Sequence, residues 1–239
     1  MNKTALRGRI VTDYEVWDEG TVLMEEGAIL EVAPDESLLE LADEVHEFPD
    51  SFITPGFIDL QVNGAYGVDV ATQPESLPEL SESLLQTGAT SYLPTVITAP
   101  ESLYERALPK LAAAMEGPQT GAEALGVHLE GPFISLTKKG AHPASNVASP
   151  DVAYLERLLE RAPIRLLTIA PELDGAERLM ELAQRRGIVV CVGHSNAGFE
   201  LAYDALDHFA AGVTHLFNAM SPLHHREPGL PGAAFAHPR

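Results

Sequence analysis

Beyond about residue 52 the chain alternates short apolar runs with longer stretches whose apolar residues recur every three or four positions. The runs are Phe52 to Leu60, Thr90 to Ile97, Ala124 to Leu129, Arg165 to Ala170, Ile188 to Val192 and Val213 to Leu216. They are nearly continuous in apolar residues, the pattern of strands covered on both faces. The stretches between them predict helices over Glu75 to Gln86, Glu101 to Met115, Pro150 to Arg161, Gly175 to Arg186 and Phe199 to Ala210. Leu155, Leu158 and Leu159 mark one apolar helical stripe, and Leu179, Leu182 and Ala183 another. Repeated strand–helix units imply a parallel sheet with right-handed crossovers.

Residues 1–52 have a different rhythm. Leu6 to Val11, Thr21 to Met24 and Ala28 to Val32 are rich in β-formers, with turn signals at Glu19-Gly20 and Glu26-Gly27. A small antiparallel β unit is expected there. It has few large apolar side chains, so it should lean on something else for stability. The expected organisation is a small β domain over 1–52 and an α/β domain over 53–239.

Two closures compete for the α/β part. A doubly wound sheet binds its ligand at one switch point. A (β/α)8 barrel gathers residues from several strand ends around one mouth. Metal-type ligands follow the third, fifth and sixth runs: Glu130, His194 and His215. That distribution favours the barrel. Only six of its eight strands are counted, and such barrels typically take ~250 residues.

Composition narrows the function. The 239 residues carry 35 acidic and 15 basic side chains, a net charge of −20. Such a surface repels phosphate backbones, which argues against nucleic-acid binding. The single cysteine, Cys191, lies in the apolar run Ile188 to Val192, so an intramolecular disulfide is impossible and a small buried hydrophobe is expected. No apolar signal core follows Met1-Asn2-Lys3-Thr4, and no run approaches the ~20 residues that span a bilayer. A cytoplasmic protein without membrane attachment is expected.

One carboxylate and two imidazoles at strand ends, with a fourth position left for water, suit a hydrolytic Zn²⁺. Each residue alone has a plainer reading. Either histidine could be satisfied by loop backbone, and Glu130 could pair with Lys138 or Lys139. Two histidines at consecutive strand ends, with Glu130 at a third, favour convergence. His142, in Lys138-Lys139-Gly140-Ala141-His142-Pro143, could orient a substrate or an oxyanion, or be an exposed loop residue. Asn218-Ala219 could offer backbone N–H groups to an anion or form a simple turn. Arg226 could clamp a phosphate or pair with Glu227. Gln61 and Asn63, after the first run, could face the mouth, both as weak metal ligands. His128 shares a strand face with Glu130 and suits packing or support of the ligands.

These motifs resemble the N-acetylglucosamine-6-phosphate deacetylases of the amidohydrolase superfamily. The matching segments are Pro55 to Asp59 with Gln61 and Asn63-Gly64, His128 to Pro132 with Lys138 to Gly140 and His142, Gly193 to Ala197, Thr214 to Met220 and Arg226 to Gly229. They run in family order across nearly the whole chain. The resemblance implies a β-sandwich-like small domain and a metal-bearing barrel that hydrolyses N-acetylglucosamine 6-phosphate to glucosamine 6-phosphate and acetate. It implies Glu130, His194 and His215 as ligands of one divalent metal, Zn first, with Fe, Mn or Co as alternatives. Where much of the superfamily carries His-x-His, this chain reads Gln61-Val62-Asn63, which favours one metal over two. The resemblance assigns His142 to the sugar or carbonyl, and Asn218 and Ala219 to the phosphate. It sends Arg226 to a phosphate in the neighbouring subunit of a homodimer. The family's general acid–base Asp is expected beyond Arg239, so no catalytic residue of that kind is expected within the chain. The expectation is a chain truncated at its C-terminus, either part of a longer enzyme or a catalytically impaired remnant that binds metal and sugar phosphate.

Overall fold

The computed structural model describes residues 2–117 and 120–238. Arg239, with which the sequence closes, lies outside the described residues. The chain forms two compact units, one ending at Gly56 and the next beginning at Phe57.

The first unit is a four-stranded sheet: β1 (Lys3–Val11), β2 (Val16–Glu25), β3 (Ala28–Ala33) and β4 (Glu44–Ile53), in the order β3-β2-β1-β4. β1 to β3 pair antiparallel, as their turn signals predict. β4 is the departure, because it runs parallel to β1. Its sequence, Glu44-Val45-His46-Glu47-Phe48-Pro49-Asp50-Ser51-Phe52-Ile53, is exposed over nearly its whole length, so no buried face announced it. The core of this unit is small: Ala5, Leu23, Ala33 and Leu38, with Leu39 and Ala42 packed on it.

Phe52 and Ile53 pair with β1 rather than opening the next sheet. The apolar run from Phe52 to Leu60 therefore splits at Thr54-Pro55-Gly56, where proline cannot donate to a ladder.

The second unit starts with β5 (Phe57–Val62) and a tight hairpin, β6 (Gly64–Ala65) with β7 (Val68–Asp69). Then come α1 (Leu77–Leu84), β8 (Ala89–Ile97), α2 (Glu101–Glu116), β9 (Glu123–Ala124), β10 (Val127–Glu130) and α3 (Val152–Leu159). The unit ends with β11 (Ile164–Ile169), α4 (Ala176–Arg185), β12 (Val189–Val192), α5 (Phe199–His208), β13 (Gly212–Val213) and α6 (Gly229–Ala236). The main sheet runs β5-β8-β10-β11-β12-β13, all parallel, a curled half of a barrel.

β9 and β10 lie in succession along β8 and together occupy one strand position. Between them Gly126 takes φ +140°, and a Cβ there would meet the Pro163 carbonyl at 2.6 Å. Only glycine suits that break. The last strand is shorter than its apolar run: Thr214 to Leu216 leave the ladder after Val213. α6 was not anticipated, because Gly229-Leu230-Pro231-Gly232-Ala233 carries residues that weaken any helical reading. The core packs sheet against helices. Tyr92, Tyr104, Phe133, Leu129, Leu167 and Ile169 are fully buried, and so are Leu155, Leu158, Leu179 and Ala183 from the expected helical stripes. Among the described residues no helix is long and apolar enough to cross a membrane.

Candidate metal centre

Glu130 is the last residue of β10, His194 follows β12 by two residues, and His215 follows β13 by two. Parallel strands put these three ends on one rim of the sheet. Two backbone features then deliver the histidines. Gly193 threads between neighbours so closely that a Cβ would stand 2.8 Å from both Thr168 Cγ2 and Thr214 Cβ. His194 (φ 48°) and His215 (φ 35°) both take left-handed backbone, as do Phe217 and Ala219 in the loop that follows. Non-glycine residues there cost of order 1 kcal/mol or more each, and such strain concentrates at functional sites.

The three side chains meet. His194 Nε2 lies 3.0 Å from Glu130 Oε1, and His215 Nε2 lies 3.1 Å from the same oxygen. The two Nε2 atoms are 3.0 Å apart. Glu130 and His194 are buried, and His215 is half-buried. The ion pair of Glu130 with Lys138 or Lys139 does not form: its carboxylate faces imidazoles instead.

Hydrogen bonds on the far side assign the tautomers. His194 Nδ1 lies 2.9 Å from the Lys138 carbonyl, and His215 Nδ1 lies 3.2 Å from the Asn218 carbonyl. A carbonyl only accepts, so each Nδ1 carries its proton. In the neutral rings both Nε2 lone pairs then point at the Glu130 carboxylate. Three acceptor atoms converge with no donor among them, an arrangement that a cation satisfies. The spacing also fits: ligands about 2.0–2.1 Å from a tetrahedral ion stand roughly 3.3 Å apart. These ligand atoms all lie within 4.8 Å of one another and could hold a metal ion.

Electrostatics follow the same geometry. Burial alone would push the Glu130 carboxyl up, but the imidazoles of His142, His194 and His215 around it outweigh burial and hold the group below the ordinary carboxylate range. The Glu130 carboxylate would accept a hydrogen bond from the protonated His215 ring and so raises its pKa, against the opposing effect of burial.

His142 corrects the exposed-loop reading: it is buried, and its ring lies 4.3 Å from that of His194. The Thr98 backbone N–H donates to its Nδ1 at 3.3 Å, and Thr98 Oγ1 lies 2.7 Å from the same atom. Its proton is therefore on Nε2, the tautomer opposite to that of the other two histidines. Nε2 lies 3.6 Å from Glu130 Oε2. His128 supports from below. Its Nδ1 donates to the Leu60 carbonyl at 3.0 Å, and its Nε2 lies 2.8 Å from Thr168 Oγ1. Burial pulls its pKa down to about 4, so the ring is neutral.

A cavity of about 420 Å³ opens beside the cluster, a volume suited to a small metabolite. Asn63, His142, Asn218 and Ala219 line it with the three ligand residues. Gln61 does not; it lines a separate depression with Asn63 and Tyr66. Arg226 sits on an exposed turn closed by the Glu227 N–H to the His224 carbonyl and is not among the residues lining the cavity. The pairing of Arg226 with Glu227 is absent among the described residues; Glu227 Oε1 instead accepts from the Phe199 N–H at the start of α5. Sequence reasoning missed Asp69, which lines the cavity from the β7 hairpin, and Thr98, which orients His142. A lone Asp or Thr beside a strand end carries no distinguishing pattern.

A curled parallel sheet with histidines and a carboxylate at its C-terminal rim defines the amidohydrolase fold. No family model matches the chain. Individual proteins do. The chain is 38% identical over 242 residues to the human N-acetylglucosamine-6-phosphate deacetylase, covering 97% of the chain and 57% of that protein. The crystal structure of N-acetylglucosamine-6-phosphate deacetylase from Pasteurella multocida superposes with a TM-score of 0.85 at 31% identity, over 97% of this chain and 61% of that one. A mutant of the Mycobacterium smegmatis deacetylase, in complex with N-acetyl-D-glucosamine-6-phosphate, superposes with a TM-score of 0.84 at 28% identity, over 98% of this chain and 60% of that one. Over the part of their length that it spans, under two thirds, the chain is similar to the N-acetylglucosamine-6-phosphate deacetylases.

Proposed function

We propose that this chain carries the metal site and part of the substrate pocket of a deacetylase acting on N-acetylglucosamine 6-phosphate, with glucosamine 6-phosphate and acetate as products. The observation that carries the reading is the convergence of Glu130, His194 and His215, all within 4.8 Å. They would hold one divalent ion, zinc in the first instance. Such an ion supplies Lewis acidity toward an amide carbonyl and activates water.

The chain's own residues do the rest. The Nδ1–H bonds of His194 and His215 to backbone carbonyls fix which nitrogen faces the centre. His142 offers Nε2–H to an acetyl oxygen or a sugar hydroxyl, held in that tautomer by Thr98. Asn218 and Ala219 line the cavity and would receive the phosphate, Ala219 through its N–H and Asn218 through its side-chain amide, because the Asn218 N–H donates to the His215 carbonyl; Asn63 lines the same cavity. Gln61 is the weakest of the substrate candidates, being outside that lining. Arg226 would reach a phosphate in the neighbouring subunit of a cytoplasmic homodimer, a role its exposed turn permits. The proton for the leaving amine would come from the Asp that the family resemblance expects, which is not among the residues described.

The test uses the full-length product of this gene. With zinc, acetate should be released from N-acetylglucosamine 6-phosphate, and chelation should abolish release. Release that survives both chelation and Glu130→Gln would contradict the reading. So would its absence from metal-loaded protein.

A further inference from the structure

Glu172 follows β11 in Ala170-Pro171-Glu172, one loop away from His194. It touches neither the cavity nor the three ligands, yet its carboxylate is fully engaged by the segment after His194. Oε2 accepts from the Ser195 hydroxyl at 2.7 Å, and Oε1 accepts from the Asn196 N–H at 2.5 Å. Ser195 is completely buried, and its Oγ accepts in turn from the Ala197 N–H at 3.0 Å. One carboxylate thus takes a donor from each residue of a two-residue segment, through short charge-assisted bonds.

That segment sets the backbone of His194, which sits at φ 48° with its carbonyl held by the Ser135 N–H at 2.9 Å. It also sets the neighbouring loop. The Ser195 carbonyl accepts from the Ser221 N–H at 3.0 Å, and Ser195 bridges to Met220 in parallel register. The loop from His215 to Met220 holds three further left-handed residues, His215, Phe217 and Ala219. Such conformations persist only where surrounding contacts over-determine them.

We propose that Glu172 is a positioning residue for the metal centre: through Ser195 and Asn196 it holds the His194 loop, and through Ser195 the His215 loop, in the strained conformation that brings both Nε2 atoms onto Glu130. The proposal rests on the metal-site reading above. It differs from a purely structural role, in which Glu172 would stabilise the fold without regard to the geometry of the ligands.

The experiment is a competition titration of the metal-stripped chain with zinc against a chromophoric chelator, beside thermal unfolding of the stripped protein. Glu172→Ala should raise the zinc Kd by about 10–100-fold, the range for partners that orient metal ligands. Glu172→Gln keeps one acceptor oxygen and should lose less. Ser195→Ala should weaken zinc in the same direction, and the double variant Glu172→Ala/Ser195→Ala should fall short of the summed effects, because both remove one contact. If Glu172→Ala does not fold, Glu172→Gln and Ser195→Ala carry the test. Unchanged zinc Kd in the folded variants, whatever their thermal midpoints, overturns the proposal and leaves the site reading standing. A wild-type chain that binds no zinc overturns the site reading, and this proposal with it.

Discussion

At the scale of single residues, burial and partners decide which side chains carry chemistry. Cys191 illustrates the inert case. Burial pushes its thiol up to about 11, against a smaller opposite effect from Thr214. A raised thiol pKa means less thiolate at a given pH, so at pH 8 the folded protein should alkylate about two orders of magnitude more slowly than the denatured chain. Cys191 is partly rather than fully buried, and equal rates with and without denaturant would contradict a shielded thiol. The three ligand candidates were legible because a carboxylate or imidazole directly after an apolar run needs a partner when buried. The support around them was not legible. The Lys138 and Asn218 carbonyls are backbone atoms with no residue signature, and Thr98 bonds His142 across 44 positions of sequence. Glu172 reads as a loop carboxylate until Ser195 and Asn196 are seen on it.

At the scale of elements, periodicity was informative wherever an element buried one face. α2 and α4 lie where their apolar stripes predicted, and β8, β11 and β12 coincide with continuous apolar runs to within a residue or two. The misses have local causes. β4 buries nothing recognisable, α6 is built of glycine, proline and alanine, and β13 stops short because His215 turns left-handed. β4 is held instead by polar contacts. Arg7 on β1 bonds Glu47 on β4 at 3.2 Å, pairs with Glu36, and lies 3.8 Å from Glu19 on β2. Its side chain is only 28% exposed, so Arg7→Ala removes a partly shielded cation from among three carboxylates. The expected loss is about 1–2 kcal/mol. Hydrogen exchange in β1, β2 and β4 should then quicken roughly 5–30-fold. The difference should shrink at high salt, where screening weakens the pairs. Exchange unchanged by the substitution at low salt would remove Arg7 as a tie between these strands.

At the scale of the whole molecule, the barrel reading rested on where ligands fall along the chain: three strand ends, one rim. The six parallel strands of the second unit form that rim as a curled half-barrel. β5 and β13 end the sheet among the described residues, and Phe57, Ile58 and Leu60 of β5 remain more than half exposed. The chain spans 57% of the human relative, so the candidate metal site formed by Glu130, His194 and His215 is the part of the account that the chain itself can test. The most direct measurement is the stoichiometry of zinc bound by the metal-stripped chain, followed by mass spectrometry under native conditions. One zinc per chain is expected for the wild type, and none for His194→Ala or Glu130→Gln. A wild-type chain that takes up no zinc would contradict the account, as would either variant still binding one equivalent.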